Sequence, residues 1–383
     1  MGNNIVVIYG SGASYDSRYK VRIPGNEKHE SPLMDQGFLG NNSILKLLES
    51  HKYYPIRKFI EFYFEGRDNI GLEELWSAVD LNHKHITLDT YDWHTETFDN
   101  YLHYVDSYSI PYRTMDCAYD IETGAGSYNK YKFLGDCGRN LKELIYESLS
   151  EFILEQQPSN YLVLHNKIIE SNNLLGYVTF NYDLMLEDSL GRLGINTLRY
   201  VNVNEDITSS NFLGGANVIL IKLHGSLNWE FVPTGRQVIF KSNAIQPKYI
   251  ENNNYIEPAI IPPTLFKQEI NDDSRVTHPL TQTILSQWKA AIRLITEADK
   301  LLFVGYSFPL TDFHVRRVFQ IAMMHKRAKK QNIKILYCGG GEADDDDIKK
   351  NLDNIFCITD GLFIKNEFSM LCESEEIKDI LKA

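Results

Sequence analysis

Four short stretches hold residues that could act on a substrate: GSGAS at 10–14, TFNYD at 179–183, KLHGS at 222–226 and GYSFPLTD at 305–312. Gly10 and Gly12 end an apolar run, where glycines let backbone N–H groups approach a pyrophosphate and the hydroxyl of Ser14 can donate to it. Alone, such a turn serves packing as readily as phosphate. Asn181 and Asp183 flank Tyr182, so in an extended segment both point to the same side. An Asn there can hold a ribose hydroxyl or a water. Asp183 can orient Asn181 or cap the helix that follows. His224 stands at a strand terminus before Gly225, where an imidazole can work as a general base near neutral pH. Ser226 does not complete a hydrolase triad with it, because no GxSxG turn is present and the two residues are only two positions apart. Gly305 and Ser307 repeat the pairing of glycine with hydroxyl, and Thr311 or Asp312 would cap the next helix.

The elements that must position these residues are apolar runs at 5–9, 174–180, 218–223, 300–304 and 333–337. They do not alternate with polar residues, which is the pattern of strands buried on both faces of a parallel sheet covered by helices. Each is followed at once by glycine or small polar residues, the last by Gly339 to Gly341. Ligands of doubly wound sheets bind outside the carboxyl ends of the strands, so these ends should converge on one crevice. The fold class expected is therefore α/β, a Rossmann-like parallel sheet with a large, mainly helical insertion. Residues 1–42 and 174–383 would form the Rossmann-like domain and 43–173 the insertion, where NLKELIYESLSEFILEQ shows apolar positions at helical spacing. The tract 87–138 has no clear period. The segment from 225 to 267, rich in Pro, Asn and Gly, reads as a β-rich excursion. Helices are expected over 274–298, 311–331 and 342–352. Carboxylates in EADDDD at 342–347 read as helix-start residues complementing the dipole, which would repel a phosphate.

The bulk properties narrow the function further. A chain of 383 residues can bury a large core, and 43% hydrophobic with 23% charged residues is ordinary for a folded protein. A net charge of −12 argues against general affinity for nucleic acid. The five cysteines form no CxxC and no metal-ligand spacing, which points to a reducing cytoplasmic location and no metal. There is no signal-like N-terminus and no run of about 18 apolar residues, so no membrane association is expected.

Taken in order, GSGAS, TFNYD, KLHGS and GYSFPLTD resemble the sirtuin superfamily, and more closely the SIR2-like proteins of bacterial antiphage defence. SPLMDQGFL and AIIPPTLFK fit that branch as well. The resemblance implies NAD as substrate. Gly10, Gly12, Ala13 and Ser14 would bind its pyrophosphate. Asn181 would hold the nicotinamide-ribose side and a catalytic water, with Asp183 beside it. His224 would act as base on the ribose hydroxyls. Gly305 and Ser307 would lie along the adenosine half, with Gly339 near the adenine. It also implies a homo-oligomer acting with a partner such as a HerA-like ATPase or a nuclease. The chain lacks the paired CxxC zinc module and the GIPDFR segment usual in protein-deacylating sirtuins. The expected activity is therefore NAD+ hydrolysis to nicotinamide and ADP-ribose, depleting NAD in abortive infection. The alternatives are an NAD-dependent protein deacylase and a non-catalytic NAD or ADP-ribose-binding assembly subunit.

Overall fold

The computed structural model describes residues 3–22, 29–32, 38–64, 67, 70–84, 125–192, 198–213, 218–232, 237–244, 246–250, 254–261, 279–308, 312–339, 345–356, 362–364, 367–374 and 381. The tract 87–124, residues 342–344 with the carboxylates Glu342 and Asp344, Thr311, Gly340, Gly341 and most of SPLMDQGFL and AIIPPTLFK lie outside them.

All five apolar runs form parallel strands. In chain order the strands are β1 (Asn4–Tyr9), β2 (Tyr19–Arg22), β3 (His29–Glu30), β4 (Phe152–Leu154), β5 (Asn173–Thr179), β6 (Leu198–Tyr200), β7 (Val218–Lys222), β8 (Gly225–Val232), β9 (Gln237–Phe240), β10 (Lys248–Ile250), β11 (Asn254–Ile260), β12 (Lys300–Val304), β13 (Lys334–Cys338) and β14 (Leu362–Ile364). Among the described residues the main sheet has seven strands in the order β14-β13-β12-β1-β5-β7-β6, every neighbouring pair parallel. The chain steps from β1 to β5 and β7 on one side, then returns to β12, β13 and β14 on the other. The reversal lies between β1 and β12, the place where a doubly wound sheet opens its crevice.

β1 shows why the sheet is buried. Ile5, Val7 and Tyr9 enter one hydrophobic cluster and Val6 and Ile8 the other, each with no exposed surface. Burial of such side chains contributes about 1.5–3 kcal/mol apiece. The first face is covered by α6 (Asn160–Ile169), α7 (Met185–Gly191) and α11 (Phe368–Glu373); there the Tyr9 ring meets those of Tyr161 at 5.0 Å, Tyr177 at 5.8 Å and Phe368 at 6.1 Å. The second face is covered by α8 (Pro279–Glu297), α9 (Phe313–Ala328) and α10 (Asp345–Phe356).

The insertion supplies α2 (Asn42–Leu48), α3 (Tyr54–Tyr63), α4 (Leu72–Lys84) and α5 (Ala125–Leu149). Its buried residues, among them Tyr53, Phe59, Leu75 and Leu144, continue the cluster beneath the first sheet face. The stretch 43–173 is not wholly helical. β4 pairs antiparallel with β2, with Tyr19 opposite Leu154, and α6 packs on β5. The excursion after the third run is a four-stranded sheet, β10-β11-β8-β9, as its composition suggested. The three late helices start or stop a few residues from the predicted bounds.

Candidate functional site

Gly10 and Gly305 follow the two central strands and face each other. The Gly10 N–H donates to the Val304 carbonyl at 3.0 Å, and the Gly12 N–H to the Gly305 carbonyl at 3.0 Å. A Cβ on Gly10 would fall 2.4 Å from the Gly305 oxygen. Gly305 has φ +64°, and its Cβ would sit 2.3 Å from the Ala13 nitrogen. Ala13 N–H in turn donates to the Gly10 carbonyl at 3.0 Å. Both glycines are thus required by contact between turns, and three of the turn's N–H groups are engaged within the protein. The helix that begins here, α1 (Ser11–Tyr15), is short, and Tyr15 is exposed.

Ser14 is buried under this turn and joins three elements. Its hydroxyl donates to Asp183 Oδ2 at 2.7 Å and lies 3.0 Å from the Tyr161 hydroxyl. Asn181 Nδ2 donates to Ser14 Oγ at 2.7 Å and to the Gly10 carbonyl at 2.9 Å. The single Ser14 proton is committed to Asp183, so Tyr161 and Asn181 must donate to it. The orientation of the Asn181 amide follows from the same inventory. Both of its acceptors need N–H, so Oδ1 is the end presented as an acceptor.

Asp183 links Ser14 to the start of α7 and makes no direct bond to Asn181 among the bonds described. One carboxylate oxygen takes the Ser14 proton, and the other accepts the Met185 N–H at 3.0 Å where α7 begins. Burial pushes its pKa above the ordinary carboxylate value, opposed first by the nearby Lys222 charge and then by Ser14. Lys222 closes β7 without exposed surface; it donates to the carbonyls of Tyr182 and Asp183 and pairs with Glu187 at 2.8 Å. The Tyr200 hydroxyl also donates to Glu187, at 2.8 Å. Lys222, Glu187 and Tyr161 were missed by sequence reasoning; only the lysine lies in a singled-out stretch.

His224 belongs to a second group. Its carbonyl accepts the Ile261 N–H at 2.8 Å, and the preceding Leu223 carbonyl accepts Trp288 Nε1 at 3.0 Å, so its backbone is held from the residue after β11 and from α8. The next residue, Gly225, has φ +84° and leaves no room for a Cβ, which would meet the Ala259 oxygen at 2.0 Å. The ring packs between Phe180 at 5.6 Å and Tyr182 at 6.3 Å, and Nε2 lies 3.4 Å from Asp312 Oδ1. The Tyr306 hydroxyl donates to the other oxygen, Asp312 Oδ2, at 2.9 Å, while its ring stacks on Phe180 with centroids 4.0 Å apart. Burial and the neighbouring Asp312 raise the Tyr306 pKa well above its usual value. Asp312 stands at the N-cap of α9 as expected, yet its side chain makes no capping hydrogen bond. Ser307 is exposed, and Gly339 follows β13, where the Cys338 carbonyl accepts the Gly305 N–H at 2.9 Å.

The structure thus brings Gly10, Ser14, Asn181 and Asp183 into one hydrogen-bonded cluster and places His224 in another, both at the carboxyl ends of the sheet. Among the described residues, no group of three or more His, Cys, Asp or Glu could hold a metal ion. A separate cavity of about 540 Å³, lined by Lys289, Arg293, Ile321, His325 and Lys329 among others, contains none of these residues. No described helix is long and apolar enough to cross a membrane.

Residues 176–358, a little under half of the chain, match the family described as the SIR2-like domain. The match includes β5, β7, β12 and β13 with Asn181, His224 and Gly305, and begins after the first glycine turn. Among solved structures, Sir2Tm bound to a propionylated peptide is similar at 11% identity and a TM-score of 0.39, over 99% of this chain and 94% of that one. A Sir2 homologue mutant in complex with ADP-ribose gives 10% identity and a TM-score of 0.38, over 99% and 92% of the two chains. A structure of Sir2 bound to acetylated peptide gives 10% and 0.39, over 99% and 94%. Likeness at this level does not reach individual side chains. No curated protein matches the chain.

Proposed function

We propose that this protein is an NAD+ hydrolase. It would split the nicotinamide–ribose bond with water, giving nicotinamide, ADP-ribose and a proton, and would serve antiphage defence by depleting NAD. The observation that carries the reading is the Asn181 amide, fixed by the Gly10 carbonyl and by Ser14 so that Oδ1 is the acceptor end. An acceptor held this way can take a hydrogen bond from a water or a ribose hydroxyl and keep its oxygen lone pair directed at the reacting carbon. The C–N bond electrons leave with nicotinamide, and the water proton needs a base. His224, at the end of the neighbouring strand, has the chemistry for it.

Support for NAD comes from the SIR2-like match over 176–358 and from the position of both clusters at the carboxyl ends of the parallel strands, the side on which doubly wound sheets bind their ligands. The glycine turns fit a large polar substrate in one respect: the close Gly10–Gly305 contact leaves no side chain at the two central strand ends. Of the three sirtuin structures described above, one holds ADP-ribose and two hold acylated peptides. The absence of CxxC pairs from the sequence favours water over a protein substrate as acceptor. Homo-oligomerisation, a cytoplasmic location and action with a HerA-like ATPase or a nuclease are parts of the same proposal and rest on the sequence resemblance.

The test is nicotinamide release by the purified protein from NAD alone, repeated with the products of neighbouring genes added. Turnover without an acylated peptide is expected, and Asn181→Ala and His224→Ala should each abolish it while leaving the fold intact. Strict dependence on an acylated peptide would instead establish the deacylase. Binding of NAD or ADP-ribose without turnover in any combination would leave a sensor or assembly subunit.

A further inference from the structure

The geometry points to Asp312 as the positioning residue of His224, an acidic partner that fixes which ring nitrogen carries the proton. The inference rests on the hydrolase reading only for its kinetic consequence. Asp312 sits where an Asp caps a helix, with a free-standing reason to be there, and its side chain makes no capping bond. Oδ2 accepts the Tyr306 hydroxyl at 2.9 Å, and Oδ1 lies 3.4 Å from His224 Nε2. Both partners are as buried as the carboxylate, at 4% exposed for Tyr306, 6% for His224 and 5% for Asp312. A buried carboxylate facing a ring nitrogen is stable only as an acceptor, so the proton belongs on Nε2 and the lone pair on Nδ1.

The surroundings hold that arrangement from every side. Tyr306 is pinned by stacking on Phe180, with the rings 12° from parallel, and Phe180 also packs on the His224 ring. The four side chains Phe180, Tyr306, Asp312 and His224 therefore form a closed circuit. Rotation of any one would break two contacts. The His224 backbone is fixed independently by Ile261. As base, His224 takes a proton at Nδ1, and the Asp312 carboxylate stabilises the doubly protonated ring that results without itself being protonated. Asp312 touches no reacting atom in this scheme and acts through the imidazole.

Ring ¹⁵N spectra of the ligand-free protein test the assignment, with the His224 signals identified by their loss in His224→Gln. The neutral ring should show Nε2–H in the unaltered protein. In Asp312→Asn, with the Tyr306 hydroxyl donating to the amide oxygen, the amide NH2 faces Nε2 and should shift the ring toward Nδ1–H. Tyr306→Phe, which keeps the carboxylate, should retain the Nε2–H signature and controls for lost packing. An Nδ1–H ring in the unaltered protein, an unchanged ring in Asp312→Asn, or the same shift in Tyr306→Phe would each overturn the proposal. In NAD turnover, Asp312→Asn should lower kcat by about 100-fold or more with KM unchanged, and Asp312→Glu should recover part of it. Equal kcat in Asp312→Asn sinks the positioning role and leaves the hydrolase standing. If the unaltered protein releases no nicotinamide under any condition, the hydrolase fails while the spectra still decide the tautomer.

Discussion

The amide of Gly12 donates to the carbonyl of Gly305 at 3.0 Å, so the glycine turns ending the two central strands are bonded to each other. Gly305 has to adopt φ +64° to present that carbonyl. An L side chain there is strained and would also meet the Ala13 nitrogen at 2.3 Å. Gly305→Ala is expected to destabilise the fold by at least about 2 kcal/mol. Gly138→Ala is the contrasting case: it lies inside α5 with nothing near its missing Cβ, and should stabilise by about 0.5–1 kcal/mol. Denaturant unfolding of the two variants checks both signs.

Lys222 is the buried cation that holds the Asn181–Asp183 segment through the carbonyls of Tyr182 and Asp183. Replacing it by Met leaves the Glu187 carboxylate without its cation, and removal of one member of a buried pair costs about 3–5 kcal/mol. Lys222→Met should therefore unfold at markedly lower urea concentration. Adding Glu187→Gln should restore part of the loss, because the two sites are coupled.

Asp183 makes stability depend on pH in a direction opposite to an ordinary salt-bridged carboxylate. Its pKa is raised in the folded protein by burial, so the native state holds the proton more tightly than the unfolded chain. Stability should then fall as pH rises from about 4 to the native pKa, and be level above it. In Asp183→Asn this slope should vanish, so the difference between variant and parent in urea unfolding should move in favour of the variant across that interval. Parallel curves from pH 4 to 8 would refute the assignment.

The described cysteines should be unreactive. Cys137, Cys338 and Cys372 are all buried, and burial pushes the Cys338 thiol up to about 12 and raises the other two as well. Since thiolate is the reactive form, iodoacetamide at pH 7.5 should leave these three unmodified in the native protein and label them after denaturation, as read by peptide mass spectrometry.

How much of this was legible in the sequence varied with burial and distance along the chain. The central strands are buried on both faces, and their uninterrupted apolar runs announced them. β6 and β14 are three-residue edge strands with no such run. The β2–β3–β4 sheet joins Tyr19 to Leu154, a pairing that no local pattern records. In the candidate site, Asn181, Asp183 and His224 stood out because polar residues ended apolar strands. Tyr161 did not, because it reaches Ser14 from a helix whose sequence shows only amphipathic spacing. Asp312 was visible as a residue but misleading as a role: Asp before a helix reads as a cap, and only the fold reveals that its carboxylate is turned to Tyr306 and His224.

The small antiparallel sheet has a consequence for how this architecture can vary. The Arg22 N–H donates to the Glu151 carbonyl at 2.8 Å, and the Glu155 N–H to the Arg18 carbonyl at 3.0 Å. The chain thus departs for its helical excursion and returns from it at one clasp, a few residues from Ser14. Closing a longer or shorter excursion over the same clasp changes the entropy only logarithmically with length. The region between Arg22 and Glu151 is thus tethered at both ends by the same pair of strands, so the length of chain between them enters the closure entropy only weakly, while residues such as Tyr53 and Leu144 anchor it to the cluster under the sheet.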